Sequence, residues 1–270
     1  LRKKGLSKAA KKSDRVAAEG LVGVYATGNF GSAVEVNSET DFVARNEQFQ
    51  ELVRTISRLA GEAEGDVEKL LGLTYPGKAL SVEDYLKEMI GTIGENMTLR
   101  RTTKLGVRNG VVAEYVHNKV DAGLGKIGVL VALESEGDSA KLSSFGRQLA
   151  MHIAAAAPLA LTPEEIDPTA IEKERAIYLE QAKQSGKPQN IIDKMVEGRL
   201  RKEFFQQVAL LQQTYVIDGK ATVEQAIKTA EKEIGAAIKI SGFVRYALGE
   251  GIEKKEDDFA AEVAAAAGSN

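Results

Sequence analysis

The sequence predicts an α+β fold built from two related halves. Three observations indicate it: a strand–turn–strand pattern occurs twice, an amphipathic helical pattern follows each copy, and a long helical region interrupts the second copy. Small antiparallel sheets with helices packed beside them are typical of this class. We therefore expect two related subdomains, an inserted antiparallel helical hairpin and a C-terminal helix.

The first strand pair lies in the stretch EGLVGVYATGNFGSAVEVNSETDF. Its β-branched and aromatic residues flank Gly28 and Asn29, which predicts two strands joined by a tight turn. Downstream, apolar residues recur at the spacing of one buried helix face: Phe49, Leu52, Val53 and Ile56. A hairpin followed by a helix is therefore the first structural unit.

The same pattern returns later in the chain at two constant offsets. One group recurs 90 positions later: Gly20, Leu21, Val22 and Tyr25 match Gly110, Val111, Val112 and Tyr115. Another group recurs 97 positions later: Gly28, Gly31, Val34 and Asp41 match Gly125, Gly128, Val131 and Asp138. A helical stripe follows again, at Phe145, Leu149 and Ile153. We interpret this as a duplication with a longer turn in the second copy, although matches of glycine and valine also arise by chance.

The connecting segments complete each half with a helix and a strand. Ser81 is placed to cap a helix whose apolar residues share one face, and this helix is expected to end near residues 91–94. The stretch MTLRRTTKL, at 97–105, predicts a strand. In the second half, Thr222 to Gln225 forms a capping pattern before another helix, and residues 236–251 return to strand-like alternation.

A helical hairpin interrupts the second half. Thr162, Pro163 and Glu165 are the elements of a capping box and predict that a helical region begins there. Helices are expected over 171–182 and 190–213, with a break at SGKP between them, which predicts an antiparallel pair. Near the end of the chain, residues 257–267 predict a short helix that is too short to be stable alone.

These patterns predict five segments along the chain. They are a basic linker over 1–14, an N-terminal core subdomain over 15–108, a C-terminal core subdomain over 109–161 and 210–249, an inserted hairpin over 162–209, and a C-terminal helical module over 250–270. Because the chain opens in the basic linker without a methionine, we expect it to begin inside a longer natural sequence.

Composition narrows the class of protein. The chain of 270 residues has no cysteine, a net charge of −3 and no apolar run near the roughly 20 residues that a membrane helix needs. It also has no secretory signal, which predicts a cytoplasmic protein. The glycines of GNFG and GLGKIG lie in predicted hairpin turns, where positive φ explains them without a phosphate, and no GxxxxGK(S/T) motif occurs, so we expect neither a cofactor nor direct nucleotide binding.

The sequence shows no set of residues that would form a catalytic site. The carboxylates Glu35, Glu39 and Asp41 have no nucleophile or base near them in the sequence, so we do not expect an enzyme. His152 lies in an apolar helix and is expected to be a structural histidine. His117 follows strand residues at the edge of a turn, where we expect it to be exposed.

Three questions remain open from the residues alone. The basic start of the chain could bind nucleic acid, although a solvated linker is the simpler interpretation in a protein that is otherwise acidic. Phe42 could fill the core or project as an anchor for another protein, and its position in a short turn before the helix favours the core. The duplicated core could also serve only as an assembly scaffold.

A family resemblance decides between these interpretations. The segment NSETDFVARNEQF resembles the signature of the elongation factor Ts family, the guanine-nucleotide exchange factors of elongation factor Tu. Further segments are similar to the family in the same order: KAAKKSDRVAAEG, TIGENMTLRR, AMHIAA, SGKP with KMVEGRL, and GEGIEKKEDDFAAEVAA. The resemblance covers essentially the whole chain and implies that the family's small N-terminal helical domain lies before its first residue.

The resemblance also implies a set of partner-binding residues. Asp41 and Phe42 would reach toward the magnesium and phosphate region of elongation factor Tu, with Phe42 as a wedge that displaces partner side chains. Ile93, Gly94 and His117 would make further contacts, and so would the tail helix through Phe259 and Val263. This reverses the expectation for Phe42. The helical hairpin could pair with a second copy as a homodimer, contact a second partner, or pack only on its own core.

Overall fold

The computed structural model describes residue 7 and residues 9–253. Within these residues the strands are β1 (Glu19–Thr27), β2 (Phe30–Ser38), β3 (Met97–Gly106), β4 (Gly110–His117), β5 (Leu124–Gly125), β6 (Ile127–Glu134) and β7 (Lys239–Ala247). The α-helices are α1 (Glu47–Leu59), α2 (Val67–Gly72), α3 (Val82–Ile93), α4 (Ser139–Ala156), α5 (Pro168–Lys183), α6 (Gln189–Arg199), α7 (Phe205–Val208) and α8 (Val223–Ile234). The α+β class predicted from the sequence is confirmed.

Two antiparallel sheets form the centre of the molecule. One has the strand order β3-β2-β1-β5 and the other the order β4-β6-β7. Helix α1 covers the first sheet, and Phe49 of the helix and Leu21 of β1 belong to one buried cluster. Helix α4 covers the second sheet in the same way. The opposite faces of the two sheets pack against each other, where Val22 and Leu130 belong to one buried cluster. Burial on both faces explains why the central strands β1 and β6 are almost continuously apolar.

Strand pairing confirms that the two halves are related. In the first hairpin Gly20 pairs with Asn37, and in the second Gly110 pairs with Glu134. These partners are related by the offsets of 90 and 97 found in the sequence. The register also shifts at equivalent places, between residues 35 and 36 in one half and between 132 and 133 in the other.

Glycine is required at the start of each hairpin. Gly20 has a φ of 118° and Gly110 a φ of 146°, a region that favours glycine. A Cβ would lie 2.2 Å from the carbonyl oxygen of Val36 at the first position and 1.9 Å from that of Leu133 at the second. The matching glycines therefore reflect the same close backbone approach in both halves.

The helices α3 and α8 have matching ends. Ser81 and Thr222 accept hydrogen bonds from the backbone three residues later, and the capping box of Thr222 and Gln225 is complete. Each helix ends at a glycine in the left-handed conformation, Gly94 and Gly235. Both predicted helix starts are confirmed.

The longer turn of the second copy joins the two halves. Its short strand β5 lies between β4 and β6 in the sequence but belongs to the first sheet, where it pairs with β1 and Val22 lies opposite Gly125. Asp121, in the same segment, forms an ion pair with Arg54 of α1. The extra residues in the second turn, which change the repeat offset from 90 to 97, thus connect the two sheets.

The inserted hairpin is confirmed, but both of its outer ends differ from the prediction. Residues 163–165 form a single 3-10 turn, and α5 begins at Pro168 with Asp167 as its cap. This start is three residues before the predicted 171, and the proline disfavours the helical conformation of Asp167 before it. The predicted capping box at Thr162 is wrong, because the Thr162 side chain makes no capping hydrogen bond. The second arm ends at Val208 instead of 213, because Ala209 is extended and forms a β-bridge with Ala160.

Three further expectations concern membrane spans, the segment boundaries and the C-terminal helix. Among the described residues, no helix combines the length and the apolar character needed to cross a bilayer. The boundaries of the five predicted segments stay a prediction. The predicted C-terminal helix, with Phe259 and Val263, lies outside the described residues.

Candidate functional site

Phe42 is exposed at the turn between β2 and α1. Its side chain is 73% exposed, more than any other large hydrophobic side chain that the structure describes, while the next residue, Val43, is buried. The residue-based expectation that Phe42 fills the core is therefore wrong. Val43 and Phe49 already supply the inward-facing side chains of this segment, so the core has no place for a further ring.

Four residues hold this turn against the end of α3. The backbone N–H of Thr40 donates to Glu95 Oε2 at 2.9 Å, and the Thr40 hydroxyl donates to Glu95 Oε1 at 2.6 Å. In the opposite direction, the N–H of Asn96 donates to Glu39 Oε1 at 2.6 Å. We call Glu39, Thr40, Glu95 and Asn96 the loop clamp, because hydrogen bonds between the two glutamate side chains and the Thr40 and Asn96 donors join the two loops.

The loop clamp brings four of the predicted contact residues into one neighbourhood. Asp41 and Phe42 directly follow its first pair, and Ile93 and Gly94 directly precede its second pair. Asp41, Phe42 and Gly94 are exposed, and Ile93 is partly buried against the first core. Gly94, with a φ of 90°, turns the chain sharply at the end of α3. The exposed ring of Phe42 therefore lies beside the Asp41 carboxylate and near the backbone of Gly94, which carries no side chain.

The described part of the basic arm packs on the same site. Lys12 donates to the carbonyl oxygen of Gly94, and Arg15 lies 3.6 Å from Glu39. The side-chain amide of Asn96 donates to the carbonyl oxygen of Arg15 at 2.7 Å, and Ala9 is buried in the first core. Of residues 9–15, Ala9 is buried and Lys12 is partly buried, whereas 10, 11 and 13–15 are exposed, so the predicted linker contacts the first half at a few points. Two of the arm's cations already have protein partners, which weakens the nucleic-acid alternative.

His117 lies elsewhere, at the end of β4 in the second sheet. It is exposed, as expected, and its Nδ1 lies 3.3 Å from the hydroxyl of Tyr115. Its connection to the first half is the segment that contains β5 and the Asp121–Arg54 ion pair. The sequence-predicted residues thus form one group of four, with His117 on the other half and Phe259 and Val263 outside the described residues.

His152 is a structural histidine, as expected. It is fully buried in α4, where Nε2 lies 2.9 Å from Gln213 Oε1 and Nδ1 accepts a hydrogen bond from the N–H of Val216. Burial lowers the pKa of His152, and the hydrogen bond to Gln213 opposes the shift only in part. A neutral imidazole therefore joins α4 to the turn that precedes α8.

The described residues offer no site for a metal ion. No three side chains of His, Asp or Glu come together in residue 7 and residues 9–253 as metal ligands would. The exposed surface at the end of β2 and of α3 presents an aromatic ring, a carboxylate and backbone groups.

Comparison with known proteins agrees with this picture. Residues 39–250 match the family model described as "Elongation factor TS". The chain is 61% identical to elongation factor Ts of Parvibaculum lavamentivorans over 267 residues, which cover 99% of this chain and 86% of the relative. It is 59% identical to elongation factor Ts of Bartonella tribocorum over 266 residues, or 98% of this chain and 86% of the relative.

A fold of two related sheet-and-helix units with an exposed aromatic side chain, together with these relatives, defines the chain as a translation elongation factor that works in protein biosynthesis. The chain belongs to the elongation factor Ts family.

Proposed function

We propose that the chain is a guanine-nucleotide exchange factor that binds elongation factor Tu and promotes release of its GDP. The observation that carries the proposal is the 73% exposure of Phe42 on a turn fixed by hydrogen bonds. A large aromatic ring held in water by a rigid loop is typical of a residue that inserts into another protein. The names of the relatives support the choice of a translation partner.

The proposed mechanism is an exchange of binding contacts and includes no chemical step. If the factor weakens nucleotide binding by elongation factor Tu, the nucleotide must weaken binding of the factor by the same ratio. A thousandfold weakening corresponds to about 4.1 kcal/mol. Burying one exposed aromatic side chain contributes about 1.5 to 3 kcal/mol, so Phe42 and its neighbours are of the required magnitude.

Each residue of the site has a distinct proposed role. Phe42 inserts as a wedge among side chains near the partner's magnesium and phosphate site. Asp41 places a carboxylate close to the same charged region, where it competes with groups that hold the metal. Ile93 and Gly94 give the wedge a closely fitting flank, and His117 contacts the partner from the second half.

The other segments extend this proposal. The predicted C-terminal helix would add a contact through Phe259 and Val263. The hairpin exposes Ile177 on α5 and Ile191 on α6, which are 50% and 40% exposed, and a homodimer through this surface stays a prediction. Light scattering of the wild-type chain and of an Ile177→Ser variant measures it. Action in translation would place the chain in the cytoplasm.

The test is release of a fluorescent GDP analogue from elongation factor Tu with and without this chain. We expect the release rate to rise with the concentration of the chain and then to saturate. An unchanged rate, with the chain folded by circular dichroism, would exclude the proposal. A parallel titration with RNA over a range of salt concentrations tests the nucleic-acid alternative, for which the docked Lys12 and Arg15 predict weak binding.

A further inference from the structure

The segment that follows the second strand of each hairpin has a different conformation in the two halves of the fold. The buried positions of α1 coincide with those of α4 at the offset of 97, so that Leu52 corresponds to Leu149 and Ile56 to Ile153. Residues 42–46 therefore correspond to residues 139–143, which form the first turns of α4. In the first half this stretch is not α-helical: it forms a 3-10 turn and an extended Asn46, and α1 begins only at Glu47.

Three of the four residues of the loop clamp are replaced in the second half, whereas Glu39 corresponds to another glutamate, Glu136. Thr40 corresponds to Gly137 at the offset of 97, and Glu95 and Asn96 correspond to Ala236 and Ala237 at the offset of 141 that relates Ser81 to Thr222. The position of Phe42 is occupied by Ser139. The loop clamp and the exposed ring thus occur together in one half, and both are absent from the other.

In the second half the two loops approach each other directly. The N–H of Asp138 donates to the carbonyl oxygen of Ile234 at 3.2 Å. A Cβ on Gly137 would lie 2.6 Å from that same oxygen, so a threonine would not fit there. The Asp138 side chain accepts hydrogen bonds from the N–H groups of Ala140 and Lys141, and it caps α4.

In the first half a carboxylate separates the loops. Thr40 is directed at Glu95, which accepts one hydrogen bond from its backbone and one from its hydroxyl. Two bonds to one charged group fix both the position and the orientation of residue 40. The equivalent aspartate, Asp41, is then exposed and is not used as the helix cap, because Asn46 caps α1 instead.

We propose that Glu95 is a positioning residue for the exchange surface: by holding Thr40 it keeps residues 41–46 from joining α1 and thereby presents Phe42 to the partner. The effect of Glu95 on nucleotide release rests on the proposed exchange function, whereas its effect on the conformation of residues 40–46 does not. Without the Glu95 carboxylate, the segment is free to follow the second half, with Asp41 as the cap of a longer α1.

Two variants and one control test the proposal. Glu95→Ala removes both acceptors, and Thr40→Val removes the hydroxyl while it keeps the shape and the backbone N–H. Glu136→Ala is the matched control, because Glu136 is the second-half equivalent of Glu39 and accepts a hydrogen bond from the side chain of Asn109 at 3.0 Å. Hydrogen exchange at the amide of Thr40 measures the structural part, and nucleotide release from elongation factor Tu measures the functional part.

We expect faster hydrogen exchange at Thr40 in Glu95→Ala, a release rate lowered about tenfold or more, and a smaller loss in Thr40→Val. Glu136→Ala should match the wild type in both measurements. If Glu95 acts through Phe42, adding Glu95→Ala to Phe42→Ala should lower the release rate no further.

The outcomes separate the two proposals. Unchanged hydrogen exchange at Thr40 in Glu95→Ala would overturn the positioning role, and so would fully additive losses in the double variant. A wild-type chain that does not accelerate release would overturn the exchange function, and the hydrogen-exchange result would then decide the positioning role of Glu95 in the loop alone. If Glu95→Ala does not fold, the same criteria apply to Thr40→Val, in which the expected effects are smaller.

Discussion

Glu35, at the bulge of β2, accepts a hydrogen bond of 2.8 Å from the backbone N–H of Gly249, beyond the end of β7. The carboxylate is completely buried and also contacts Arg100 and Arg101 of β3, at 3.2 and 2.5 Å. Arg101 in turn donates to the carbonyl oxygen of Ala247. One buried charge thus joins the first sheet to the last strand of the second.

Removing this charge should destabilise the whole core. Glu35→Ala removes the buried acceptor that Arg100, Arg101, the Asn37 side-chain amide and the Gly249 N–H share, so we expect a loss of about 3 kcal/mol or more in the free energy of unfolding. Urea denaturation followed by circular dichroism measures it. Glu83→Ala, which breaks an exposed ion pair with Lys87 on α3, is the control and should lose about 0.5 kcal/mol or less. Similar losses in both variants would contradict the buried role of Glu35.

The buried histidine should make stability depend on pH. Burial lowers the pKa of His152 below its ordinary value of 6.5, so the unfolded chain binds more protons than the folded chain as the pH falls below about 6.5. The contribution of the neutral imidazole is thus complete above that pH and is lost toward acid. We expect the wild type to lose up to about 1.4 kcal/mol per pH unit there, and His152→Gln to lose less. Urea midpoints at three pH values measure the slopes, and equal slopes would show that His152 does not titrate differently on folding.

The glycine at the start of the second hairpin should not tolerate a side chain. In Gly110→Ala the new Cβ would lie 1.9 Å from the carbonyl oxygen of Leu133. Together with the φ of 146°, this predicts a loss of about 2 to 4 kcal/mol. Gly198→Ala is the matched control, because Gly198 lies in α6 with open space around it, and alanine should stabilise the helix by about 0.5 to 1 kcal/mol. Thermal unfolding distinguishes the two, and a tolerated Gly110→Ala would contradict the close approach of the strands.

Local signals predict most of the fold. The turn at Gly28, the caps at Ser81 and Thr222 and the apolar stripe of α1 depend on neighbouring residues, and the structure confirms them. The two errors in the hairpin have causes that the periodicity does not show: Asp167 and Pro168 start α5 before the predicted 171, and a β-bridge between Ala209 and the distant Ala160 ends the second arm.

The site depends on contacts between residues far apart in the sequence. Glu95 meets Thr40 across 55 residues, and Glu35 meets Gly249 across 214, so neither pair follows from spacing. For the same reason the residues alone place Phe42 in the core, whereas the family resemblance predicts its exposure. The offsets of the repeat contain a usable signal, because they show that Glu95 is replaced by Ala236 in the other half.

The most direct test of the central claim compares Phe42→Ala with Leu159→Ala. Leu159 is 60% exposed and lies outside the proposed site, so its variant removes a similar amount of exposed apolar surface. Stopped-flow release of a fluorescent GDP analogue from elongation factor Tu gives the rate for each. We expect Phe42→Ala to lower the rate about thirtyfold, as removal of a binding hot spot of about 2 kcal/mol would, and Leu159→Ala to match the wild type. A wild-type rate in Phe42→Ala would contradict the account.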